Sequence, residues 1–168
     1  MSEVALRAPA DDDWQAILAL AETSLTEFPS APSQLEWLNN RRSFALSDGH
    51  QQHFVAVADD QIVGYACIEH RNNITNGRKP VDGVYRLFVV VAPSARTTLG
   101  TRLLARLREC LIKLDARKAW VIEYKADARF ISYLQEKGFV KMASFELEGT
   151  PVVELSIDAP FQSLTPQT

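Results

Sequence analysis

Residues suited to binding a phosphate group follow a long apolar segment in the middle of the chain. Residues 84–91 form a near-continuous apolar run that ends at Ala92-Pro93, and a short polar turn, residues 94–98, comes next. The following Leu99-Gly100 opens a predicted helix. The first N–H groups of a helix have no partner inside it, and the helix dipole favours negative charge at that end. A strand that feeds into a helix N-terminus is therefore a natural anion site, which predicts a phosphorylated cofactor.

The elements that would position this turn follow a mixed pattern of strands and helices. Alternating apolar residues predict strands, and apolar residues that recur with the helical period predict helices. We therefore expect strands at residues 4–7, 54–58, 62–69, 84–91, 119–124, 140–148 and 152–158, helices at 14–25, 33–46, 99–114 and 127–137, and a polar loop at 71–83. The order predicts one mixed α/β domain over residues 1–160, followed by a polar, flexible tail over residues 161–168.

Composition limits the classes of function. The chain has 168 residues, of which 46% are hydrophobic and 23% charged, with a net charge of −3. This balance gives no support for binding to nucleic acid or to a membrane surface. The N-terminus carries no signal-peptide pattern and no apolar run is long enough to cross a membrane, so we expect a cytoplasmic protein. Cys67 and Cys110 are expected to be buried, free thiols in a reducing compartment.

The sequence predicts no metal site. Asp11-Asp12-Asp13 precedes a helix, where aspartate is favoured as a cap and in the first turn, so capping explains this acidic triplet better than metal binding does. His50, His53 and His70 lack neighbouring ligands at metal-site spacing, and we interpret them as surface or loop residues.

The element order and the central segment resemble the GNAT superfamily of acyl-CoA-dependent N-acyltransferases. The resemblance in element order covers nearly the whole chain, whereas the matching motifs lie between residues 84 and 139. The matching residues are Val91-Ala92-Pro93, Arg96, Leu99-Gly100, Leu103-Leu104 and Lys137-Gly138-Phe139. The resemblance implies a mixed, mostly antiparallel sheet of about seven strands, with helices on both faces and a splay between the fourth and fifth strands.

The resemblance also implies a site for acetyl-CoA as a co-substrate, without a metal. In the family, backbone N–H groups after the fourth strand hold the CoA pyrophosphate, and the end of that strand pairs with the pantetheine arm. Carried over residue by residue, the cofactor site comprises Val89, Val90, Val91, Arg96, Thr97, Thr98, Leu99, Gly100, Thr101, Arg102 and Asp127.

The turn departs from the family's Arg/Gln-x-x-Gly-x-Gly/Ala pattern. Read from Arg96 without a gap, Leu99 and Thr101 stand where small residues are expected. Read with Gly100 as the last glycine, the turn is one residue short. Either alignment leaves a single glycine, and glycine matters where a backbone approaches a ligand closely.

The candidate catalytic residues are Tyr133, Glu123 and Glu69. Many relatives carry a tyrosine four residues before the Gly-Phe pair; that position is Leu134 here, and one step along a helix turns a side chain by about 100°. Tyr133 is the first candidate acid and Tyr124 the second. Glu69, Tyr85 and Glu123 are candidate bases, alongside a water-mediated route without a dedicated base. Cys110 on a packing face is a poor nucleophile.

Two functions remain open at this point. The resemblance implies transfer of an acetyl group from acetyl-CoA to a primary amine of a small molecule or a protein. The depleted glycine turn and the displaced tyrosine instead favour a non-catalytic binding module with the same fold. The resemblance further implies a homodimer and an acceptor pocket formed by the first two helices and the loop at 71–83. Arg41, Arg42, Arg71 and Arg78 are candidate contacts for an acidic acceptor, although solvated surface charge is the simpler interpretation of each.

Overall fold

A computed structural model of the chain describes residues 3–25, 52–73, 79–92, 95–147, 149–161 and 164. The predicted helix at 33–46 lies outside these residues, as do Arg41, Arg42, His50 and Arg78. The described strands are β1 (Ala5–Arg7), β2 (Gln52–Ala58), β3 (Gln61–Asn73), β4 (Lys79–Val91), β5 (Lys118–Tyr124), β6 (Val140–Leu147) and β7 (Thr150–Asp158). The described helices are α1 (Trp14–Leu25), preceded by a 3-10 turn at Asp11–Asp13, α2 (Arg96–Lys113) and α3 (Ala128–Glu136).

The strands form one seven-stranded sheet in the order β1-β2-β3-β4-β5-β7-β6. All neighbours are antiparallel except β4 and β5, which are parallel. The β4–β5 ladder is short, because its register runs only from Val84 paired with Lys118 to Arg86 paired with Trp120. Beyond that pair β4 continues to Val91 and β5 to Tyr124 without pairing to each other, so the sheet is splayed there as expected.

Helices cover both faces of the sheet. On one face the apolar stripe of α2, which includes Leu99, Leu103, Leu107 and Leu111, is buried in the larger core. On the other face α1 buries Trp14, Ile17 and Ala21 against Val55, Tyr65, Cys67 and Val90. The fold class expected from the sequence is therefore confirmed.

Two sequence expectations differ from the structure in their limits. Residues 71–73 and 79–83, predicted as loop, are strand, because β3 and β4 remain paired at Asn72–Pro80 and Asn73–Lys79 after a register shift. A ladder is held by backbone hydrogen bonds, so it can extend through polar residues that give no apolar signal. Helix α2 begins at Arg96 rather than Leu99, since polar residues are well accommodated in a first helical turn.

One further expectation, for His53, was wrong, and two side chains within the predicted C-terminal tail are buried. His53 is not a surface residue: it lies on β2, is 7% exposed, and its Nδ1 is 2.5 Å from the Tyr65 hydroxyl. This hydrogen bond satisfies a polar ring that would otherwise be costly to bury. Phe161 and Leu164, assigned to a flexible tail, are buried in the larger core, and the Phe161 carbonyl accepts a hydrogen bond from Arg108 Nε. Their apolar side chains explain this burial.

Candidate active site

The start of α2 lies directly behind the end of β4. Ala92 N–H donates to the Val63 carbonyl, and Ala95 N–H donates to the Ala92 carbonyl, both at 2.9 Å, so backbone bonds anchor the turn to the sheet. Ala95 is the N-cap residue and offers no side-chain cap to the first N–H groups of the helix. This end of α2 therefore has the arrangement of donors and dipole that favours an anion.

Gly100 leaves open space beside α2. A Cβ atom built on this buried glycine would meet no atom within 4 Å among the described residues outside its own helical turn. The contrast is Gly64 on β3, where a Cβ would lie 2.9 Å from Leu99 Cδ2. Packing thus explains the glycine at 64 but not the one at 100. The space at Gly100, next to the N-terminal turns of α2, is compatible with the phosphate-bearing part of CoA.

The splayed strands border this space. Val89 is half-buried, whereas Val90 and Val91 are buried, and all three lie on β4 beyond its last pair with β5. Beyond Arg86 this segment no longer pairs with β5, which leaves a gap in the sheet where an extended ligand could pair with β4. The described residues therefore fit both parts of the expected cofactor site, the anion-binding turn and the open strand edge.

Thr101 on α2 and Tyr133 on α3 are brought into direct contact. Their hydroxyl oxygens are 2.8 Å apart, and either hydroxyl can donate. The half-buried Tyr133 ring stacks on Phe130 with centroids 6.0 Å apart, and Lys137 Nζ lies 5.7 Å from its centre. Leu134, which occupies the family's tyrosine position, is 1% exposed and lies in the core. The one-residue displacement thus places Tyr133 at the margin of the core, with its hydroxyl directed toward α2.

A charged pair lies at the point where β4 and β5 separate. Arg86 forms the last β4–β5 register pair with Trp120, and its guanidinium carbon lies 5.5 Å from the centre of that ring. Glu69, its register partner on β3, has Oε1 4.0 Å from Arg86 Nη1, and the two side chains are 13% and 16% exposed. Sequence reasoning missed Arg86, although an arginine within an apolar strand run is a usable signal.

Glu123 on β5 has the most strongly perturbed carboxyl of the described site. Burial first, and the Asp127 carboxylate second, raise the pKa of Glu123 to about 8 against the opposing effect of Arg86. Asp127 also caps α3, because its Oδ1 accepts the Phe130 N–H at 3.3 Å. A carboxyl group that titrates near neutral pH is suited to general base catalysis.

The remaining sequence candidates are placed less favourably. Tyr85 is buried in the core under α2, and strand alternation puts it on the opposite face of β4 from Arg86. Tyr124 is buried at the end of β5, and Arg102 is exposed on α2. The side chains of Arg96, Thr97 and Thr98 lie outside what the structure describes, although their backbone forms the first turn of α2.

Cysteine and metal chemistry find little support in the described residues. Cys67 and Cys110 are free and buried, as expected, and burial raises the pKa of the Cys110 thiol, which disfavours the reactive thiolate. Within the described ranges, no group of three histidine, cysteine or acidic side chains could hold a metal ion. The acidic triplet is explained locally, since Asp13 accepts the Ala10 N–H and pairs with Arg7, both at 2.6 Å. None of the described helices is long and apolar enough to span a membrane.

A family model described as the acetyltransferase (GNAT) family matches residues 14–139. The chain belongs to this GNAT acetyltransferase family. The matched range includes α1, the splayed strands, the N-terminus of α2 and the whole of α3. No curated protein gives a significant match to the sequence.

Solved structures share the GNAT fold along nearly the full chain. A GNAT-family protein from Desulfovibrio desulfuricans is 20% identical, with 93% of this chain and 99% of that chain covered and a TM-score of 0.71. A ribosomal-protein-alanine N-acetyltransferase from Brucella melitensis is 21% identical, with coverages of 92% and 99% and a TM-score of 0.68. The yncA protein of Salmonella typhimurium, solved with its cofactor acetyl-CoA, is 16% identical, with coverages of 92% and 93% and a TM-score of 0.68.

Proposed function

We propose that this GNAT protein is an N-acetyltransferase that transfers the acetyl group of acetyl-CoA to a primary amine of a small molecule or a protein. The observation that carries the proposal is the space that the described residues leave at Gly100, near the N-terminus of α2 and the part of β4 that no longer pairs with β5. Family membership supports an acetyltransferase, and the geometry supports a retained cofactor site despite the single glycine.

The backbone N–H groups at the start of α2 would hold the pyrophosphate, with Gly100 allowing its close approach. The backbone of Val89 and Val91 would pair with the pantetheine arm. The remaining residues of the expected cradle, Thr97, Thr98, Leu99, Thr101 and Arg102, form the following turns of the same helix, while Asp127 caps α3 nearby. Bound in this way, acetyl-CoA would supply an activated acetyl thioester at the splay.

The chain's own part in the reaction is to position the amine and move protons. We assign Glu123 as the general base, because a carboxyl with a pKa of about 8 accepts a proton from an ammonium group more readily than an ordinary carboxylate does. We assign Tyr133 as the acid that protonates the departing sulfur. Glu69 is the alternative base, although its contact with Arg86 favours an electrostatic role. Holding the amine against the thioester would supply much of the rate.

Thermal unfolding with and without acetyl-CoA tests cofactor binding. A ligand at a hundred times its dissociation constant contributes about 2.7 kcal/mol. For a chain of this size, the melting temperature should rise by about 5–10 °C. Desulfo-CoA should give a comparable shift and ATP should not. No shift with millimolar acetyl-CoA would contradict the proposed cofactor site.

Release of CoA with a panel of amines then tests catalysis. Spermidine, an alanine-terminated peptide and a lysine-containing peptide sample small and protein acceptors. Acetylated product detected by mass spectrometry would support the enzyme, whereas binding without transfer to any amine would favour the acyl-CoA-binding module. We place the reaction in the cytoplasm, in keeping with the two free cysteines. The homodimer stays a prediction of the family resemblance.

A further inference from the structure

Two departures from the family pattern meet at one hydrogen bond. Thr101 stands where an ungapped alignment expects a small residue, and Tyr133 stands one residue before the expected tyrosine position. The two residues are far apart in sequence, yet their hydroxyl oxygens are 2.8 Å apart. A glycine or alanine at 101 would have no hydroxyl to offer. The displaced tyrosine and the added hydroxyl therefore form a matched pair.

The surroundings of Tyr133 fix its ring but leave the hydroxyl to Thr101. Phe130 stacks on the ring within α3, and Lys137 lies over it one turn later. Both contacts involve the ring face and neither engages the oxygen. Leu134 is locked in the core, so α3 cannot rotate to bring Tyr133 into the usual position without exposing it. Among the described contacts, the hydrogen bond with Thr101 on α2 is thus the one that directs the Tyr133 oxygen.

We propose that Thr101 is a positioning residue for Tyr133, fixing the direction of the tyrosine hydroxyl from α2. This inference rests on the proposed acetyl-transfer function. Thr101 lies on α2, the helix whose first turn would hold the pyrophosphate, so the hydrogen bond ties the tyrosine oxygen to the helix that carries the proposed cofactor turn. Thr101, which departs from the family pattern of the cofactor turn, thereby compensates for the displaced tyrosine.

The pair can also serve the proton transfer. As the thioester carbon–sulfur bond breaks, the Tyr133 O–H bond breaks and an S–H bond forms on the departing sulfur. The phenolate left on Tyr133 then accepts a hydrogen bond from the Thr101 hydroxyl, and it regains its proton from solvent. Hydrogen bonds to a charged acceptor are the stronger ones, so the Thr101 contact favours the transition state over the ground state.

A set of hydroxyl variants tests the catalytic side of this inference with the best amine found in the panel. Thr101→Val keeps the side-chain shape but removes the hydroxyl, and kcat should fall about tenfold with a KM for acetyl-CoA that changes little. Tyr133→Phe should lower kcat by about a hundredfold. Thr101→Ser should restore most of the activity lost in Thr101→Val. Because Thr101 acts through Tyr133, the double variant should be no slower than Tyr133→Phe alone.

Full additivity of the two losses, or unchanged kcat in Thr101→Val, would overturn the positioning role. Ser132→Ala removes an exposed hydroxyl from the neighbouring position on α3 and serves as the matched control with unchanged kcat. A fall in affinity for acetyl-CoA without a fall in kcat would likewise contradict the proposal, because it would make Thr101 a binding contact only.

A second measurement needs no acceptor. In protein labelled at the tyrosine Cζ carbon, the signal of Tyr133 is identified by its loss in Tyr133→Phe. This signal should move in Thr101→Val, stay in Thr101→Ser, and move in the wild type when acetyl-CoA is added. A wild type that binds acetyl-CoA without any change at Tyr133 would overturn the inference alone. A wild type that does not bind acetyl-CoA would contradict the proposed function, while the Thr101 variants would still report on the hydrogen bond.

Discussion

Arg86 on β4 and Glu123 on β5 interact electrostatically across the point where the two strands part. Burial and the Asp127 carboxylate favour the neutral form of Glu123, and the Arg86 guanidinium favours the ionised form. Arg86 is itself held between Glu69 and the Trp120 ring, so its position is set by side chains from three strands. The charge of Glu123, the proposed base, therefore depends on Arg86, whose position is set by its neighbours in the sheet.

The pH dependence of stability should identify Glu123. Its folded pKa of about 8 is higher than the ordinary value of 4.5, so the folded state binds more protons between those values. The stability contribution is therefore fully present below about pH 4.5 and is lost as the pH rises through about 8. Relative to Glu123→Gln, the wild type should lose on the order of a few kcal/mol between about pH 5 and pH 9. Urea unfolding at both pH values measures this, and parallel profiles for the two proteins would refute the assignment.

The pH dependence of activity should follow the charge at position 86. Arg86→Met removes the cation that favours ionised Glu123, so the acidic limb of kcat/KM should move to higher pH. Arg86→Lys keeps a positive charge and should move the limb less. Rates measured across the neutral and alkaline range compare the three proteins. An acidic limb that stays in place in Arg86→Met would show that Glu123 does not set the rate.

Filling the space at Gly100 should separate binding from folding. Gly100→Leu should unfold at a temperature close to that of the wild type, because no described residue lies within 4 Å of a Cβ at this position and glycine is unfavourable inside a helix by about 1 kcal/mol. The same variant should lose the thermal shift with acetyl-CoA. Gly64→Ala is the converse control: its Cβ would crowd Leu99, so stability should fall by about 1–3 kcal/mol while binding is retained. An undiminished acetyl-CoA shift in Gly100→Leu would place the cofactor elsewhere.

Two phenylalanines near the C-terminus should respond differently to truncation. Phe161→Ala removes a side chain that is 2% exposed and should cost about 3–5 kcal/mol in the free energy of unfolding. Phe145→Ala on the edge strand β6 removes one that is 41% exposed, and its cost should be below about 1 kcal/mol. Equal losses by urea unfolding would mean that Phe161 is not part of the core in solution.

The sequence predicted the secondary-structure elements that are determined by interactions between residues close together in the chain. The leucine spacing along α2 and the Asp127 cap of α3 are readable because period and capping act over a few residues. The strand character of residues 79–83 was not readable, because it arises from pairing with β3. His53 was misjudged for the same reason, since its partner Tyr65 is supplied by the neighbouring strand.

The candidate site likewise has features that local sequence predicts and features that depend on contacts between distant residues. Gly100 and the anion-binding turn could be found from motif spacing, whereas the empty space that gives Gly100 its role is visible only in three dimensions. The contact between Thr101 and Tyr133 joins two helices, and neither residue alone predicts the other. Arg86 carried a usable signal, but its influence on Glu123 depends on the register of β4 with β5.

The short β4–β5 ladder gives the sheet two mechanically distinct halves. With register pairs only from Val84 to Arg86 on β4, little backbone bonding joins β1–β4 to β5–β7. A ligand that paired with the free edge of β4 would then act as an added strand in the middle of the sheet. Amide hydrogens of β4 beyond Arg86 should therefore exchange more slowly in the complex than in the protein without ligand. The same backbone groups of β4 would thus bind the ligand and, through it, strengthen the connection between the two parts of the sheet.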